Sequence, residues 1–441
     1  MKRRKFLSSA VVGGLGASLG PALPGSGLPA PEAPTSPQAR TFLPFNIDPN
    51  RQVTQIGRWT LEELRDFFRR DLFEKRMPLW GKYGIDRLFG GFFTRWKKDG
   101  TYPSTDKRIE LQGRVLWLFS RFFKDFAGGR VYLEAARQGE EALVRHGRDD
   151  RGRWRGLLTR DWKVKGSGPD AEAAIGMALG LAEYAAAGRD DTALKLAEEA
   201  AFFATEMVLA PQFRPYASSD ALEPGTKSLG TWVRLLGSLF TLTERTKRGN
   251  LESLARMCVR FILQYHWQRG QGYALSYLRP DFTPFPDDAL AYEGRSVSGR
   301  EGVQAAWLVM AEAIREGNRQ VFLDAMELGF RTLETCWESG PEPGPVDYEN
   351  IDARKKPVGA GSPSAAGLAD ILVFSLAALE HTHTSSAALW FDKVFGYLWN
   401  RPGIWDSADE FDEPRAVMSS LQALDRMIAR KGHVSPFFFA P

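Results

Sequence analysis

Apolar residues recur at helical spacing along most of the chain beyond residue 60, and they mark two kinds of helix in alternation. One kind is charged on one face, as in LEELRDFFRRDLFEKRM, and the other is apolar or small on nearly every side, as in EAAIGMALGLAEYAA. The pattern predicts amphipathic helices over 60–76, 131–147, 191–208, 249–266, 319–337 and 386–400. It predicts apolar helices over 109–126, 172–186, 229–244, 301–315, 366–380 and 414–429. A helix that is apolar all round has to be buried, and an amphipathic helix can cover it.

The order of these helices predicts the fold. Six amphipathic–apolar pairs follow one another, and the apolar helices start at intervals of roughly 50–70 residues. Such a repeat indicates a closed double ring of helices, with the apolar helices inside. We therefore predict an all-α protein, an (α/α)6 barrel (a six-hairpin toroid), over residues 42–441. A parallel-sheet fold would need β-rich runs between the helices, and the chain lacks them.

The connections between the helices are uneven in length. Those that enter the apolar helices are long and contain short runs typical of β-hairpins, at 90–108, 152–170, 272–288 and 340–363. Those that leave the apolar helices are short. Long loops at one end of a compact domain usually build its functional site. We therefore expect short β-hairpins at one mouth of the barrel, which the first turns of the inner helices would line.

Polar residues cluster in these first turns. The stretch RSVSGREGVQAAW (295–307) places Arg300 and Glu301 at the start of an otherwise apolar helix, with Gln304 one turn further in. The helix dipole stabilises any carboxylate at a helix start, so the alternative interpretation is that Glu301 is an ordinary helix-start charge. The other inner helices carry comparable residues: Arg108, Glu110, Gln112, Arg114, Asp170, Glu172, Lys227, Trp232, Arg234, Ser362, Ser364, Asp412 and Arg415. Convergent polar groups among aromatic side chains predict a pocket for a polar, ring-shaped ligand, and a mono- or oligosaccharide fits best.

Composition narrows the possible functions. The 13 Trp and 29 Phe stand against five His and two Cys, so we expect neither a metal nor another cofactor. Cys258 and Cys336 fall within helical patterns and are predicted to be buried thiols. The net charge of +4 comes entirely from residues 1–41, which leaves the rest of the chain neutral. A neutral domain without a basic patch is not expected to bind nucleic acid.

The N-terminal segment accounts for that charge. MKRRKFL precedes SSAVVGGLGASLG, an apolar run too short and weak to span a membrane stably, and a Pro-rich stretch follows at 21–37. This arrangement resembles a twin-arginine export signal, in which Arg3 and Arg4 are the paired arginines. A chance basic N-terminus on a cytosolic protein is the alternative. We expect residues 1–41 to be a signal and tether, and the mature domain to be periplasmic or extracellular.

Three motifs resemble those of the N-acylglucosamine 2-epimerase family. The first is Asp86-Arg87 followed by GGFFTRWKKDG and LQGRVLWLFS. The second is RSVSGREGVQAAW itself, which is similar to the family pattern R-x-V-N-P-G-H-x-x-E-x-x-W, and the third is FDEPRAV (411–417), similar to F-H-x-P-R-A. The resemblance implies an (α/α)6 barrel that epimerises or isomerises sugars, with Arg114 facing the sugar.

The chain departs from that family at the catalytic positions. Glu301 stands where the family has its first catalytic histidine, Gln304 where the partner glutamate lies, and Asp412 where the second histidine lies. Carboxylates can serve as proton-transfer groups at a sugar carbon when burial raises the pKa of one of them. A pair of carboxylates also suits a glycoside hydrolase. Loss of catalysis with retained sugar binding is the third interpretation, and a helical scaffold for a protein partner is the fourth.

The sequence therefore predicts a site with an acid/base pair and a set of binding residues. Glu301 and Asp412 are the candidate catalytic pair. Arg114 and Arg415 would hold sugar hydroxyls or an acidic substituent through their guanidinium groups. The remaining candidates for substrate binding are Gln112, Gln304, Asp170 and Trp232.

Overall fold

The computed structural model describes residues 47–439 except 49, 98, 167, 216–221, 287–294, 340–342, 349–350, 352–364 and 401–410. The predicted signal and tether (1–41) lie outside the described residues, as do Ser362 and Ser364. From Phe45 to Pro441 the chain forms one compact unit. Its buried side chains make a continuous hydrophobic core that reaches through both kinds of predicted helix.

The helices alternate between an outer and an inner ring. In chain order they are α1 (Leu61–Arg70), α2 (Met77–Tyr83), α3 (Ile109–Phe126), α4 (Arg130–His146), α5 (Ala171–Gly188), α6 (Asp191–Leu209), α7 (Leu229–Thr243), α8 (Gly249–Arg260), α9 (Gly299–Glu316), α10 (Arg319–Cys336), α11 (Ala365–Thr382), α12 (Ser385–Asn400) and α13 (Asp412–Ala429). A π-helical segment at Asp71–Arg76 joins α1 to α2, and another at Phe261–His266 extends α8. Each odd-numbered helix from α3 to α13 packs against the next, and α13 contacts α3 to close the inner ring. The predicted (α/α)6 barrel is confirmed.

Local sequence explains where many helices begin. Thr60 and Glu63 form a complete capping box at α1, in which each side chain bonds to the backbone of the other residue. Side-chain oxygens at the start of other helices accept hydrogen bonds from the first turn, at Asp170, Asp190, Ser228, Ser298 and Asn318. Three of these five caps, Asp170, Ser228 and Ser298, precede the inner helices α5, α7 and α9, so they help to fix where the polar first turns of these helices start.

Glycines bring α3 and α5 into backbone contact. A Cβ atom placed on Gly113 would lie 2.1 Å from the carbonyl oxygen of Gly176, and one on Gly176 would lie 2.4 Å from the carbonyl oxygen of Glu110. No side chain fits between the helices at these positions. This contact sets the first turns of α3 and α5 side by side at the mouth.

Short antiparallel strands tie the loops together. They are β1 (Gln55–Ile56), β2 (Trp59–Thr60), β3 (Lys107–Arg108), β4 (Leu157–Leu158), β5 (Lys227–Ser228), β6 (Trp267–Gln268), β7 (Tyr273–Ala274), β8 (Tyr277–Leu278), β9 (Val297–Ser298), β10 (Trp337–Glu338), β11 (Gly344–Pro345) and β12 (Asp347–Tyr348). Adjacent strands pair as β1–β2, β6–β7 and β10–β11. The pairs β6–β7 and β10–β11 reach into two of the four loops for which hairpins were predicted, 272–288 and 340–363, whereas β1–β2 lies before α1. The pairs β3–β4, β5–β8 and β9–β12 are different, because each joins the loop before one inner helix to the loop before the next. These pairs supply hydrogen bonds to the residues that enter the inner helices, and they link neighbouring loops around the mouth.

Cys258 and Cys336 are buried free thiols, as predicted. Among the residues that the structure describes, no helix is both long and apolar enough to cross a membrane.

Candidate functional site

A cavity of about 280 Å³ follows the axis of the inner ring, and all six inner helices contribute to its wall. A second cavity, of about 480 Å³, meets it at Glu110, Arg114 and Arg234 and extends between the mouth loops. Small-molecule sites typically measure roughly 300–1,000 Å³, so the axial cavity is close to the lower end of that range. The two cavities together make the mouth of the barrel the natural binding site.

Asp412 is the first residue of α13 and is almost fully buried at this mouth. Its carboxylate makes an ion pair with Arg300 of α9, lies 3.1 Å from Arg415 Nη2 and lies 4.0 Å from Arg114 Nη1. Burial by itself would raise the pKa of Asp412, but the guanidinium groups of Arg415, Arg300 and Arg114 hold that pKa well below its usual range. Asp412 is therefore a permanent anion between three cations.

Asp370 of α11 lies beside this cluster and is fully buried. Arg415 Nη2 donates to its Oδ1 at 2.7 Å, and Trp307 Nε1 donates to the same oxygen at 3.0 Å. Burial raises the pKa of Asp370 against the opposing influence of Arg415 and Arg300. Arg415 thus contacts two acidic side chains at once, which fixes its guanidinium at the cavity wall.

A separate ion pair occupies the opposite side of the mouth. Arg234 of α7 donates to both oxygens of Glu172 of α5, from Nε at 2.7 Å and from Nη2 at 2.9 Å. Thr231 Oγ1 donates to Glu172 at 2.7 Å. This two-bond geometry fixes the plane of the Arg234 guanidinium and leaves Nη1 directed elsewhere. Arg234 lines both cavities.

Glu301 is the third residue of α9, and its backbone N–H donates to Ser298 Oγ at 3.2 Å. A Cβ atom placed on Gly230 of α7 would lie 2.2 Å from Glu301 Oε1 and 3.0 Å from Arg234 Nη1. Both side chains therefore lie against the Gly230 backbone, and Glu301 Oε1 occupies space that exists because residue 230 has no side chain.

The Glu301 carboxylate differs from its neighbours in having no fixed partner. Among the residues that the structure describes, no hydrogen bond or ion pair to this carboxylate is found. Glu301 is the third residue of its helix, as Glu63 is in α1, but only Glu63 accepts a hydrogen bond from the backbone of the capping residue through its side chain. Burial raises the pKa of Glu301, the Arg234 guanidinium only partly offsets this, and Asp347 adds to it. The Glu301 carboxylate therefore lies partly buried beside the Arg234 guanidinium, with a raised pKa.

The structure places six of the eight predicted site residues at the mouth. Arg114, Gln304, Asp412 and Arg415 line the axial cavity. Asp170 lines the second cavity, where its Oδ1 also accepts a hydrogen bond from Ala173 N at 2.8 Å to cap α5. Glu301 lies beside them, against Gly230.

The predictions for Gln112 and Trp232 are corrected. Gln112 is buried and pairs with the backbone of Phe92, donating to its carbonyl at 2.7 Å and accepting from its N–H at 2.8 Å. Trp232 is fully buried and packs edge-to-face on Phe261 at 4.8 Å. Each lies two residues before an arginine that faces the cavity, and two residues turn a helix by about 200°, so both side chains point away from the axis.

Sequence reasoning left Asp370, Arg300, Glu172 and Arg234 out of the predicted site. A signal for Asp370 was present, because it is a lone carboxylate in the apolar helix sequence AAGLADILVFSL and so requires a partner. The others were visible as polar first-turn residues. Their pairing was not visible, since Arg300 and Asp412 lie 112 positions apart.

Comparisons with known proteins agree with this architecture. The family model described as N-acylglucosamine 2-epimerase (GlcNAc 2-epimerase) matches residues 91–415. N-acylglucosamine 2-epimerase of Homo sapiens is 31% identical over 102 residues, which are 23% of this chain and 24% of that protein. The chain thus matches only about a quarter of the length of that curated relative.

Two solved structures show the same fold. Cellobiose 2-epimerase from Spirochaeta thermophila DSM 6192 has a TM-score of 0.68 at 17% identity, covering 83% of this chain and 98% of the other. A family 76 glycoside hydrolase from a bovine Bacteroides thetaiotaomicron strain has a TM-score of 0.56 at 10% identity, covering 82% of this chain and 78% of the other. At such low identities the likeness is one of fold.

Proposed function

The chain belongs to the N-acylglucosamine 2-epimerase family, and on that premise we propose that it is a sugar epimerase or isomerase in which Glu301 transfers the proton. One observation carries the proposal. Four other acidic side chains of the mouth each meet a guanidinium: Glu110 meets Arg114, Glu172 meets Arg234, Asp370 meets Arg415 and Asp412 meets Arg300. Asp170 differs from these four, because its carboxylate caps α5 by accepting from Ala173 N. Glu301 makes no such pair with any described residue, and its Oε1 lies against Gly230 beside the two cavities, although it lines neither of them. We infer that a ligand at the mouth reaches this carboxylate.

The proposed reaction begins with an open-chain sugar whose C2 carries a proton next to the C1 carbonyl. Glu301 removes that proton, the C–H electrons form a C1–C2 double bond, and the carbonyl oxygen becomes an oxyanion. Return of the proton to the other face of C2, after the enediolate turns in the site, gives the epimer. Delivery of the proton to C1, while the O2 proton passes to O1 and C2 becomes the carbonyl, gives the ketose isomer. A carboxylate whose pKa is raised by burial is a stronger base than an exposed one, which supports Glu301 in this role.

Arg234 is suited to stabilise the oxyanion. Its Nε and Nη2 are held by Glu172, and its Nη1 lies beside the point where Glu301 Oε1 is found. A donor that is already oriented costs no reorganisation when charge develops in the transition state. We propose that Arg234 contacts the developing enediolate while Glu301 carries the proton.

Asp412 suits a different role from the acid/base function that its position in the sequence predicts. Three guanidinium groups hold its pKa far below neutrality, so it is a weak base. We propose that it orients Arg114, Arg300 and Arg415 towards sugar hydroxyls. This division gives the two candidate catalytic residues separate tasks, with proton transfer at Glu301 and electrostatic positioning at Asp412.

Proton NMR in deuterated water tests the proposal. The purified full-length chain is incubated with reducing monosaccharides and disaccharides, and deuterium is expected at C2 of a new epimer or at C1 of a new ketose. Glu301→Gln should reduce the exchange by at least about 10²-fold, within the range expected for loss of a general base. New reducing ends from oligosaccharides would instead establish a glycoside hydrolase. Sugar binding without either reaction, unchanged in Glu301→Gln, would establish a binding protein.

We also propose that the protein is exported by the twin-arginine route, from the Arg3-Arg4 pair and the apolar run after it. Changing Arg3→Lys together with Arg4→Lys should leave the protein in the cytoplasm, as measured by cell fractionation. An unchanged distribution would refute this localisation.

A further inference from the structure

The wall of the axial cavity changes character along the barrel. At the mouth it is charged, in an upper ring of Glu110, Arg114, Arg234, Gln304, Asp412 and Arg415. At the far end it is charged again, in a lower ring of Arg121, Glu244, Glu380, Gln422 and Arg426. Between the two rings lies an aliphatic waist of Ile175, Leu179, Val233, Leu308, Val373 and Ala377. The cavity therefore continues beyond the proposed sugar site into an apolar section.

The length of the waist follows from the helices. Arg114 and Arg121 lie seven positions apart on α3, and Arg415 and Gln422 are separated equally on α13. At about 1.5 Å per residue, the two charged rings are roughly 10 Å apart along the axis. This is long enough for several carbon atoms of an extended chain.

The lower ring needs no ligand to balance its charges. Arg426 donates to both oxygens of Glu380 at 2.8 Å each. Arg121 lies 2.6 Å from Asp125 and donates to Gln422 at 3.2 Å. The lower ring therefore borders the apolar section with groups that already pair with one another.

The waist and a sugar ring are chemically mismatched. A hydroxyl group buried against aliphatic side chains loses its hydrogen bonds to water and gains none, which disfavours entry of a sugar ring. An alkyl chain in the same place gains affinity, by about fourfold for each fully buried methylene. On α9 the waist residue Leu308 comes seven residues after Glu301, which is about 10 Å further along the barrel axis.

We propose that the waist binds the acyl chain of an N-acylated amino sugar, with a chain longer than acetyl, while the upper ring binds the sugar. The position of the sugar ring rests on the proposed function. The acyl chain would leave C2 through its nitrogen and run along the axis from the upper ring towards the lower ring. Specificity for the sugar and for its acyl chain would thus come from two successive sections of one cavity.

Calorimetric titration with N-acetyl-, N-butanoyl-, N-hexanoyl- and N-octanoylglucosamine tests this proposal. Both the wild-type chain and Glu301→Gln are titrated, so that turnover does not obscure binding. Affinity should rise about three- to fourfold per methylene from acetyl to hexanoyl, and the heat-capacity change should become more negative with chain length. Affinity that is independent of chain length, or that falls with it, would overturn the proposal.

A blocking variant locates the effect. Ala311 lines the cavity on α9 one turn after Trp307, and Ala311→Phe should remove the dependence on chain length. Leu389→Phe adds bulk to an exposed position on α12 and is the matched control, which should keep the wild-type dependence. If Ala311→Phe fails to fold, the wild-type series decides by itself.

The outcomes separate this proposal from the proposed reaction. Chain-length dependence without deuterium exchange would retain the waist as a binding site and reject the epimerase. Exchange at C2 with no dependence on chain length would retain the epimerase and reject the waist.

Discussion

Gly230→Ala tests whether the position of one carboxylate governs the reaction. Gly230 is the second residue of α7, and its missing side chain leaves the space in which Glu301 Oε1 lies. An added Cβ would be 2.2 Å from that oxygen, whereas ordinary van der Waals contact begins at 3.4 Å. The carboxylate would therefore have to move by about 1.2 Å. Arg234 Nη1, at 3.0 Å from the same Cβ, would move by a few tenths of an ångström.

The expected magnitudes for activity and stability differ. A displacement of about 1 Å in a catalytic group can cost roughly 10²-fold in rate, equivalent to about 2.7 kcal/mol in activation free energy. Stability should change little, because glycine to alanine within a helix gains about 0.5–1 kcal/mol and the displaced group is the end of a flexible side chain. The variant should therefore fold normally and react slowly.

The assay is the rate of deuterium incorporation at C2, measured beside the thermal midpoint of unfolding. Gly396→Ala in α12 is the matched control, because a Cβ there meets nothing within 4 Å. It should keep the wild-type rate. Adding Glu301→Asp to Gly230→Ala shortens the side chain and should recover part of the lost rate. A folded Gly230→Ala protein that exchanges deuterium at the wild-type rate would refute the assignment of Glu301 as the base.

Three further substitutions test the charges and the packing. Burial raises the pKa of Glu301, so its ionised form destabilises the fold at neutral pH. Glu301→Gln should therefore raise the thermal midpoint of unfolding at pH 7, and this gain should shrink as the pH falls towards 4. A gain that does not depend on pH would contradict the burial argument. The pKa of Asp412 is held well below its usual range, so the ionised side chain contributes to stability throughout pH 5–8. Asp412→Asn should lower the free energy of unfolding, measured in urea, by about 3–5 kcal/mol over that range. A loss below about 1 kcal/mol would contradict the stabilising role of the buried ion pairs. Gly113→Ala should destabilise the protein by about 3 kcal/mol in the same assay, because the added Cβ would lie 2.1 Å from the carbonyl oxygen of Gly176. Gly188→Ala is the control and should show no loss, because a Cβ added there has no neighbouring atom within 4 Å.

Local spacing along the chain was sufficient to predict the helices and their order in the barrel. Whether a helix is apolar on one side or all round depends on residues within a few turns, and that distinction separates outer from inner helices. The same spacing identifies the end of each inner helix that carries Arg114, Gln304 and Arg415, which the structure brings to one cavity. The same spacing also shows that Gln112 and Trp232 point away from the axis, because each lies two residues, or about 200° of helix rotation, from an arginine that faces the cavity. Their polarity and size had nevertheless suggested a role in the site.

Closure of the ring of inner helices determined which charged side chains come into contact. Arg300 and Asp412 lie on α9 and α13, and only the packing of α11 between those helices brings their side chains together. The roles of the two candidate carboxylates depend on such contacts, because Asp412 acquires three guanidinium neighbours and Glu301 acquires the space beside Gly230. A residue's pKa is determined by burial and by charges within a few ångströms, and in this barrel those charges come from helices tens to hundreds of positions away in the chain. The sequence alone therefore identified Arg114, Gln304, Asp412 and Arg415 as residues of one site, and the tertiary structure determined that the Asp412 carboxylate is paired with guanidinium groups and that the Glu301 carboxylate lies beside Gly230.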